Sequence, residues 1–162
     1  VIINRSDNGK LLFPEQEETW FIFDIDGTLC DISDRAHFAR AKDWVNFHAG
    51  IPTASPRWAE CNLARLIHQS SVLHKIALVS GRPIQYTEET QEWLDRHKVP
   101  CHELYMRTDL ALSDCDLKEQ IYVERFLERG REVAVVLEDR DSVVEMYRRN
   151  GQTCFQVQPG AY

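Results

Sequence analysis

Trp20-Phe21-Ile22-Phe23-Asp24-Ile25-Asp26-Gly27-Thr28 is an apolar run that ends on two carboxylates one residue apart, followed by Gly and Thr. Four large apolar residues in a row fit a strand buried on both faces of a parallel sheet. Two acids placed together at the end of such a strand are costly unless something cationic or phosphorylated sits between them. The segment therefore implies metal-dependent phosphoryl chemistry. Taken alone, Asp26-Gly27 also reads as common turn punctuation.

Working outward, two further apolar runs end on polar residues suited to the same chemistry. His74 to Val79 runs into Ser80-Gly81-Arg82, and Glu132 to Leu137 runs into Glu138-Asp139-Arg140-Asp141. A last strand is expected over Thr153-Cys154-Phe155-Gln156-Val157. Helical patterns lie between these runs. Ser55-Pro56 reads as a cap and first turn, with Ala59, Leu63, Leu66 and Ile67 as the buried stripe. Tyr86, Thr90, Trp93, Leu94 and His97 form a second stripe, stopped by Pro100. Ser113 to Asp116 starts a third helix, with Leu117, Ile121 and Tyr122 buried and Gly130 as its C-terminal signal. Val143, Val144 and Tyr147 line a fourth, which closes at Asn150-Gly151. Strands alternating with helices predict an open α/β sheet whose ligands bind at the carboxyl ends of the strands. Asp24, Ser80 and Glu138-Asp139 would meet there.

The motif Asp24-Ile25-Asp26-Gly27-Thr28 resembles the nucleophile motif of the haloacid dehalogenase (HAD) superfamily. The resemblance implies a Rossmann-like open parallel sheet with helices on both faces and a small cap insert after the first strand, at about residues 31–56. It also implies that Asp24 attacks phosphorus and Asp26 acts as general acid and base. A carboxylate can form an acyl-phosphate that splits a hard hydrolysis into two steps. Mg²⁺ is the expected hard, oxygen-seeking cofactor. Its expected ligands are Asp24, the backbone carbonyl of Asp26 and Asp139, with Glu138 beside them. Lys118 would neutralise the transferring phosphoryl group, while Ser80 and the nearby backbone amides, including Gly81, would bind its oxygens. Thr28 would fix the turn or contact phosphate, and Asp114 would hold the Lys118 ammonium. Each element has a plainer reading: Asp114 and Lys118 as a surface i,i+4 pair, Ser80-Gly81-Arg82 as a polar turn, and Asp141 as a helix cap after a solvated turn.

From Trp20 onward the chain is similar more narrowly to the 3′-phosphatase domains of the phage polynucleotide kinase/phosphatase family. Leu137-Glu138-Asp139-Arg140, the run Val143 to Arg149 and the Cys-aromatic-Gln-Val ending carry that resemblance. It makes Arg35, Arg82 and Asp114 substrate-side residues. Two departures stand out: that family usually carries paired aspartates where this chain has Glu138-Asp139, and the insert before Ser80 is longer here. No Gly-x-x-x-x-Gly-Lys-Ser/Thr loop occurs, so no phosphate transfer from ATP is expected.

Of the 162 residues, 43% are hydrophobic and 28% charged, ordinary values for one soluble domain. The expectation is a domain over 20–162, preceded by a segment, 1–19, whose Val1 to Phe13 could form a small hairpin around Ser6-Asp7-Asn8-Gly9 or pack against the sheet. No apolar stretch approaches the roughly 20 residues of a membrane span, so a soluble, cytoplasmic protein is expected. Five cysteines without a Cys-x-x-Cys pair suggest neither a disulfide framework nor a zinc site. The six histidines show no metal-ligand spacing.

A net charge of −7 and a pI near 5.4 argue against a long basic groove for a polyanion. One end of a strand can still be gripped by Arg35, Arg82 and Arg107. Phe38, Trp44 or Phe47 could stack on an end base, although aromatics near Trp58 and Leu63 are more often core. The expected substrates are 3′-phosphorylated DNA or RNA ends. The alternatives are a phosphatase for nucleotides or sugar phosphates, which the acidic charge favours, and a phosphate-binding module without turnover. Oligomeric state is open at this level.

Overall fold

The computed structural model describes residues 17–160, so the hairpin considered for Val1 to Phe13 lies outside the described residues. Among these residues five parallel strands form one sheet: β1 (Thr19–Phe23), β2 (His74–Pro83), β3 (Glu103–Arg107), β4 (Glu132–Arg140) and β5 (Cys154–Gly160). Their order is β3-β2-β1-β4-β5. After β1 the chain adds strands first on one side and then on the other. Strand order thus reverses at β1, which places a crevice at its carboxyl end.

Among the described residues six α-helices connect the strands: α1 (Ala36–Arg40), α2 (Trp44–Ala49), α3 (Trp58–Ser70), α4 (Thr87–Arg96), α5 (Asp114–Tyr122) and α6 (Asp141–Arg149). Alternation along each strand divides the core into two layers. Phe23, Ile76, Leu78 and Leu137 face one side and pack with Cys61 and Ala64 of α3 and Trp93 and Leu94 of α4. Ile22, Ala77, Val79 and Val136 face the other and meet Tyr122, Phe126, Val143, Val144 and Tyr147. Each large side chain so buried contributes about 1.5–3 kcal/mol. The expected open α/β sheet is the one the chain forms.

Three expectations need correction. The α3 stripe is Cys61 and Ala64, with Ile67 partly buried, whereas Leu63 and Leu66 are exposed and Trp58 is 59% exposed. The small side chains of the actual stripe let α3 lie close against the sheet. Helix α3 also begins at Trp58 with no side-chain cap, because Pro56 is taken up in a bridge to Cys30. Finally, β2 and β4 do not end at Val79 and Leu137. They continue through Ser80-Gly81-Arg82 and Glu138-Asp139 because β3 and β5 still pair with them, at Pro83↔Arg107 and Arg140↔Gly160, after a register shift. The polar motif residues therefore lie in strand ends, which hold them more rigidly than loops would.

Residues 31–56 form α1, α2 and a 3₁₀ turn at Ile51–Thr53. The Trp93 indole on α4 donates to Ala54 O at 2.7 Å, and Asp31 N–H donates to Ser55 O at 2.8 Å, tying this segment to the body.

Candidate active site

Asp24 follows β1 directly, and its N–H donates to Leu137 O at 3.0 Å, so the carboxylate rises between β1 and β4. The turn after it is closed by Leu29 and Cys30 N–H groups donating to Ile25 O, both at 2.9 Å. Gly27 sits there at φ +95, a conformation open to glycine and strained for other residues. Helix α5 brings Lys118 in from the side, started by Ser113, whose hydroxyl accepts Asp116 N–H at 3.1 Å. Lys118 Nζ is almost fully buried. It donates to Asp24 Oδ1 at 2.7 Å and Glu138 Oε2 at 2.8 Å, and pairs with Asp114 Oδ2 at 3.4 Å.

Asp24, Glu138 and Asp139, all buried, each offer a carboxylate oxygen within 4.8 Å of the others. One lysine does not offset three clustered acids. Burial, together with the neighbouring charges, pushes the carboxyls of Asp24 and Glu138 above their usual range despite Lys118. Asp24 Oδ2 is buried without a hydrogen-bond partner. A buried orphan oxygen beside excess negative charge fits a hard divalent cation. Burial would depress the Lys118 pKa, but Asp114, Asp24 and Glu138 together hold it well above the usual lysine value. It is a fixed cation. Asp114 is held low in spite of its burial, by Lys118, Arg140 and Arg107.

Asp26 belongs to a second cluster. Arg82 grips it with two prongs, Nε to Oδ2 at 2.7 Å and Nη2 to Oδ1 at 2.8 Å, and Arg35 Nη2 adds a contact to Oδ1 at 3.1 Å. The Cys30 thiol donates to the same Oδ1 at 3.3 Å. Burial alone would raise the Asp26 pKa. Arg82 and then Arg35 overcome that and hold it well below the usual carboxylate range. Arg82 Nη1 is anchored on the Thr90 hydroxyl at 3.1 Å.

A cavity of about 620 Å³ opens over both clusters. Of the residues expected at the site, Asp24, Asp26, Gly81, Arg82, Asp114, Lys118, Glu138 and Asp139 line it. Arg35 does not: it lies behind Asp26, with its guanidinium over the Phe47 ring at 5.3 Å. Ser80 and Thr28 are also fully buried and off the wall. The Ser80 hydroxyl accepts Arg82 N–H at 3.2 Å, and Thr28 Oγ1 has no hydrogen-bond partner. Glu138 Oε1 accepts the N–H groups of Asp139 and Arg140 at 3.0 and 3.1 Å, stiffening the end of β4. Arg107 lines the cavity but is braced by Gly81 O at 2.9 Å and Asp114 Oδ1 at 3.2 Å.

Sequence reasoning missed Thr90, His48 and Tyr86 as neighbours of the site. Thr90 left a signal, a hydroxyl in an otherwise apolar stripe that needs a buried partner. His48 and Tyr86 left none, because they stand 38 positions apart along the chain.

Residues 18–162 match the family described as polynucleotide kinase PNKP phosphatase domain. Among solved structures, the fold is similar to a chain of the Pnkp1/Rnl/Hen1 complex, with TM-score 0.76 and 25% identity, covering 92% of this chain and 49% of that one. A chain of the Pnkp1/Rnl/Hen1 RNA repair complex aligns with TM-score 0.77 and 24% identity, covering 98% and 46%. The haloacid dehalogenase-like hydrolase SP0104 from Streptococcus pneumoniae shares the fold at TM-score 0.57 and 13% identity, covering 85% and 83%. The chain thus spans about half the length of the Pnkp1 complex chains it matches.

Proposed function

Since the chain belongs to the polynucleotide kinase PNKP phosphatase domain family of HAD hydrolases, we propose that it removes the 3′-terminal phosphate of polynucleotides through an aspartyl-phosphate on Asp24. The observation that carries the reading is Asp24 itself. It is buried at the cavity floor, with one oxygen on Lys118 and the other without a hydrogen-bond partner. Residues 31–56, adjoining this cavity through Trp44 and His48, serve as its small cap.

Asp24 attacks phosphorus as the bond to the 3′ oxygen breaks, and Lys118 offsets charge on the transferring group. Asp26 gives its proton to the departing oxygen, then takes one from the water that attacks the phospho-aspartate. Resting Asp26 is ionised, so it must acquire a proton first. Arg82 lines the cavity, and incoming phosphate oxygens compete with Asp26 for its guanidinium, which lets the carboxyl pKa climb. Arg35 stays behind and orients Asp26. Mg²⁺ would be held by Asp24, Asp139 and the Asp26 carbonyl, with Glu138 adjacent, and supplies charge neutralisation at the phosphoryl oxygens when bound.

The test compares kcat/KM on a 3′-phosphorylated oligonucleotide, its 5′-phosphorylated twin and free mononucleotides, with Asp24→Asn as control. The 3′ end should be preferred, and Asp24→Asn should release no phosphate. Preference for free nucleotides would favour the small-molecule phosphatase that the net charge of −7 suits. Turnover by Asp24→Asn would end the covalent mechanism.

A further inference from the structure

Resting on the 3′-end reading above, we propose that Trp44, His48 and Tyr86 form a stacking wall for the terminal nucleobase, a base-binding subsite beside the phosphate site. Three residues from two parts of the chain build it. His48 stacks on Tyr86 with ring centres 4.6 Å apart, and Trp44 lies on toward solvent, 6.3 Å from His48 at an interplanar angle of 31°. All three line the cavity that holds Asp24. His48 is buried, while Trp44 keeps 46% of its surface exposed and its neighbour Val45 keeps 75%. A large aromatic face at the lip of a charged pocket is a contact surface awaiting an apolar, planar group.

The placement of Trp44 is built in. It is the first residue of α2, whose cap Asp43 accepts Asn46 N–H at 3.2 Å. Lys42 before it holds φ +59, a left-handed conformation that a non-glycine residue keeps only where surrounding structure enforces it. Phe47, on the same short helix, is buried and carries Arg35 on its ring, so the wall and the Asp26 cluster share one support. Of the other aromatics of this segment, Phe47 also touches the cavity but is 5% exposed with its ring under Arg35, and Phe38 is partly buried against the core and does not line the cavity.

Charge selects the occupant. The carboxylates on the cavity wall are matched one for one by Lys42, Arg82, Arg107, Lys118 and Arg140, which leaves no surplus of cations for a row of further phosphates. The volume of about 620 Å³ is that of a whole small-molecule site, well beyond a phosphate alone. A phosphate on Asp24 with its nucleoside leaning on aromatic rings uses both halves of the cavity. Stacking is tolerant of base identity because every base has a π face.

The experiment measures kcat/KM, with Mg²⁺ present, on a 3′-phosphorylated oligonucleotide ending in an ordinary nucleotide. Its comparators are the same strand ending in an abasic 3′-phosphate residue and an aryl phosphate. Wild type should favour the base-bearing end by about 5- to 150-fold, the worth of one stacked base. Trp44→Ala should bring that ratio close to one, and Trp44→Phe should keep most of it. A wild-type ratio near one, or an undiminished ratio in Trp44→Ala, overturns the stacking wall while leaving the 3′-phosphatase reading in place. Hydrolysis of the aryl phosphate but of neither oligonucleotide overturns that reading and the wall together.

Discussion

Asp26 lies between Arg82 and Arg35, and its two partners play different parts. Arg82 reaches the cavity, whereas Arg35 touches Asp26, Cys30 and the Phe47 ring from behind. If Asp26 carries the proton for the departing oxygen, Asp26→Asn should slow an alkyl phosphate far more than an activated aryl phosphate, whose leaving group needs no proton. Arg35→Ala should cost on the order of 2–5 kcal/mol in transition-state stabilisation with the alkyl substrate, since it unpairs part of a desolvated cluster. Arg35→Lys should recover only part, because ammonium cannot reproduce the planar fork. Equal losses on alkyl and aryl substrates would reduce Asp26 to an organiser of the site. The clustering of Asp26 with Arg35 and Arg82 could not be read from spacing: Arg82 stands 56 residues along the chain from Asp26.

At the scale of elements, the end of β5 supports the end of β4. Gln156 Nε2 donates to Asp139 O at 2.8 Å. Gly160 passes so close that a Cβ there would stand 2.5 Å from Asp139 O and 2.9 Å from Arg140 Cα. Gly160→Ala must therefore move β5 outward or shift Asp139 within the acid cluster. The readout is the rise in thermal midpoint on adding Mg²⁺. In the metal-free protein the carboxyl pKa values of Asp24 and Glu138 lie above their unfolded values, with burial as the leading cause. Their ionisation works against the fold, so metal-free stability falls as pH climbs from the ordinary carboxylate range through the raised values. A cation binds the ionised forms, so Mg²⁺ should stabilise more at pH 8 than at pH 5. At 100 times the dissociation constant the gain is about 2.7 kcal/mol, or about 5–11 °C for a domain of this size. Gly160→Ala should lose most of that increment. An undiminished increment would show that β5 does not set the position of Asp139, and a larger increment at pH 5 would contradict the acid cluster as the metal site.

For the whole molecule, a net charge of −7 and a cavity whose charges balance set how substrate is held. A protein making 6–10 phosphate contacts loses about 10³–10⁵ in affinity between 50 and 200 mM salt. Here KM for a 3′-phosphorylated strand of about 20 nucleotides should change by less than about ten-fold over that range, and by little when the strand is shortened to three. A thousand-fold salt effect would reveal a phosphate track elsewhere on the surface. Among the described residues no helix is long and apolar enough to cross a membrane.

The open parallel sheet was legible because its signals are local: continuous apolar runs for strands buried on both faces, stripes for α4, α5 and α6, and turn residues between them. Asp24 and Glu138-Asp139 were legible as candidates because acids at the ends of apolar runs are costly without a task, whereas Lys118, an ordinary surface partner of Asp114 by spacing alone, was legible only through the family resemblance. The α3 stripe misled because Cys61 and Ala64 are small, and helical spacing alone gave Leu63 and Leu66 equal standing. Tertiary structure alone decided that Asp26 turns to Arg82 and Arg35 while Asp24 turns to Lys118. It also decided that Arg35 sits behind the cavity and that Trp44, His48 and Tyr86 meet at its rim. The division has one physical cause. Periodicity and propensity act over a few residues and leave a trace in the sequence, whereas pairings between ends of different strands and helices arise only when the sheet order and the packing of each layer bring distant side chains to the same place.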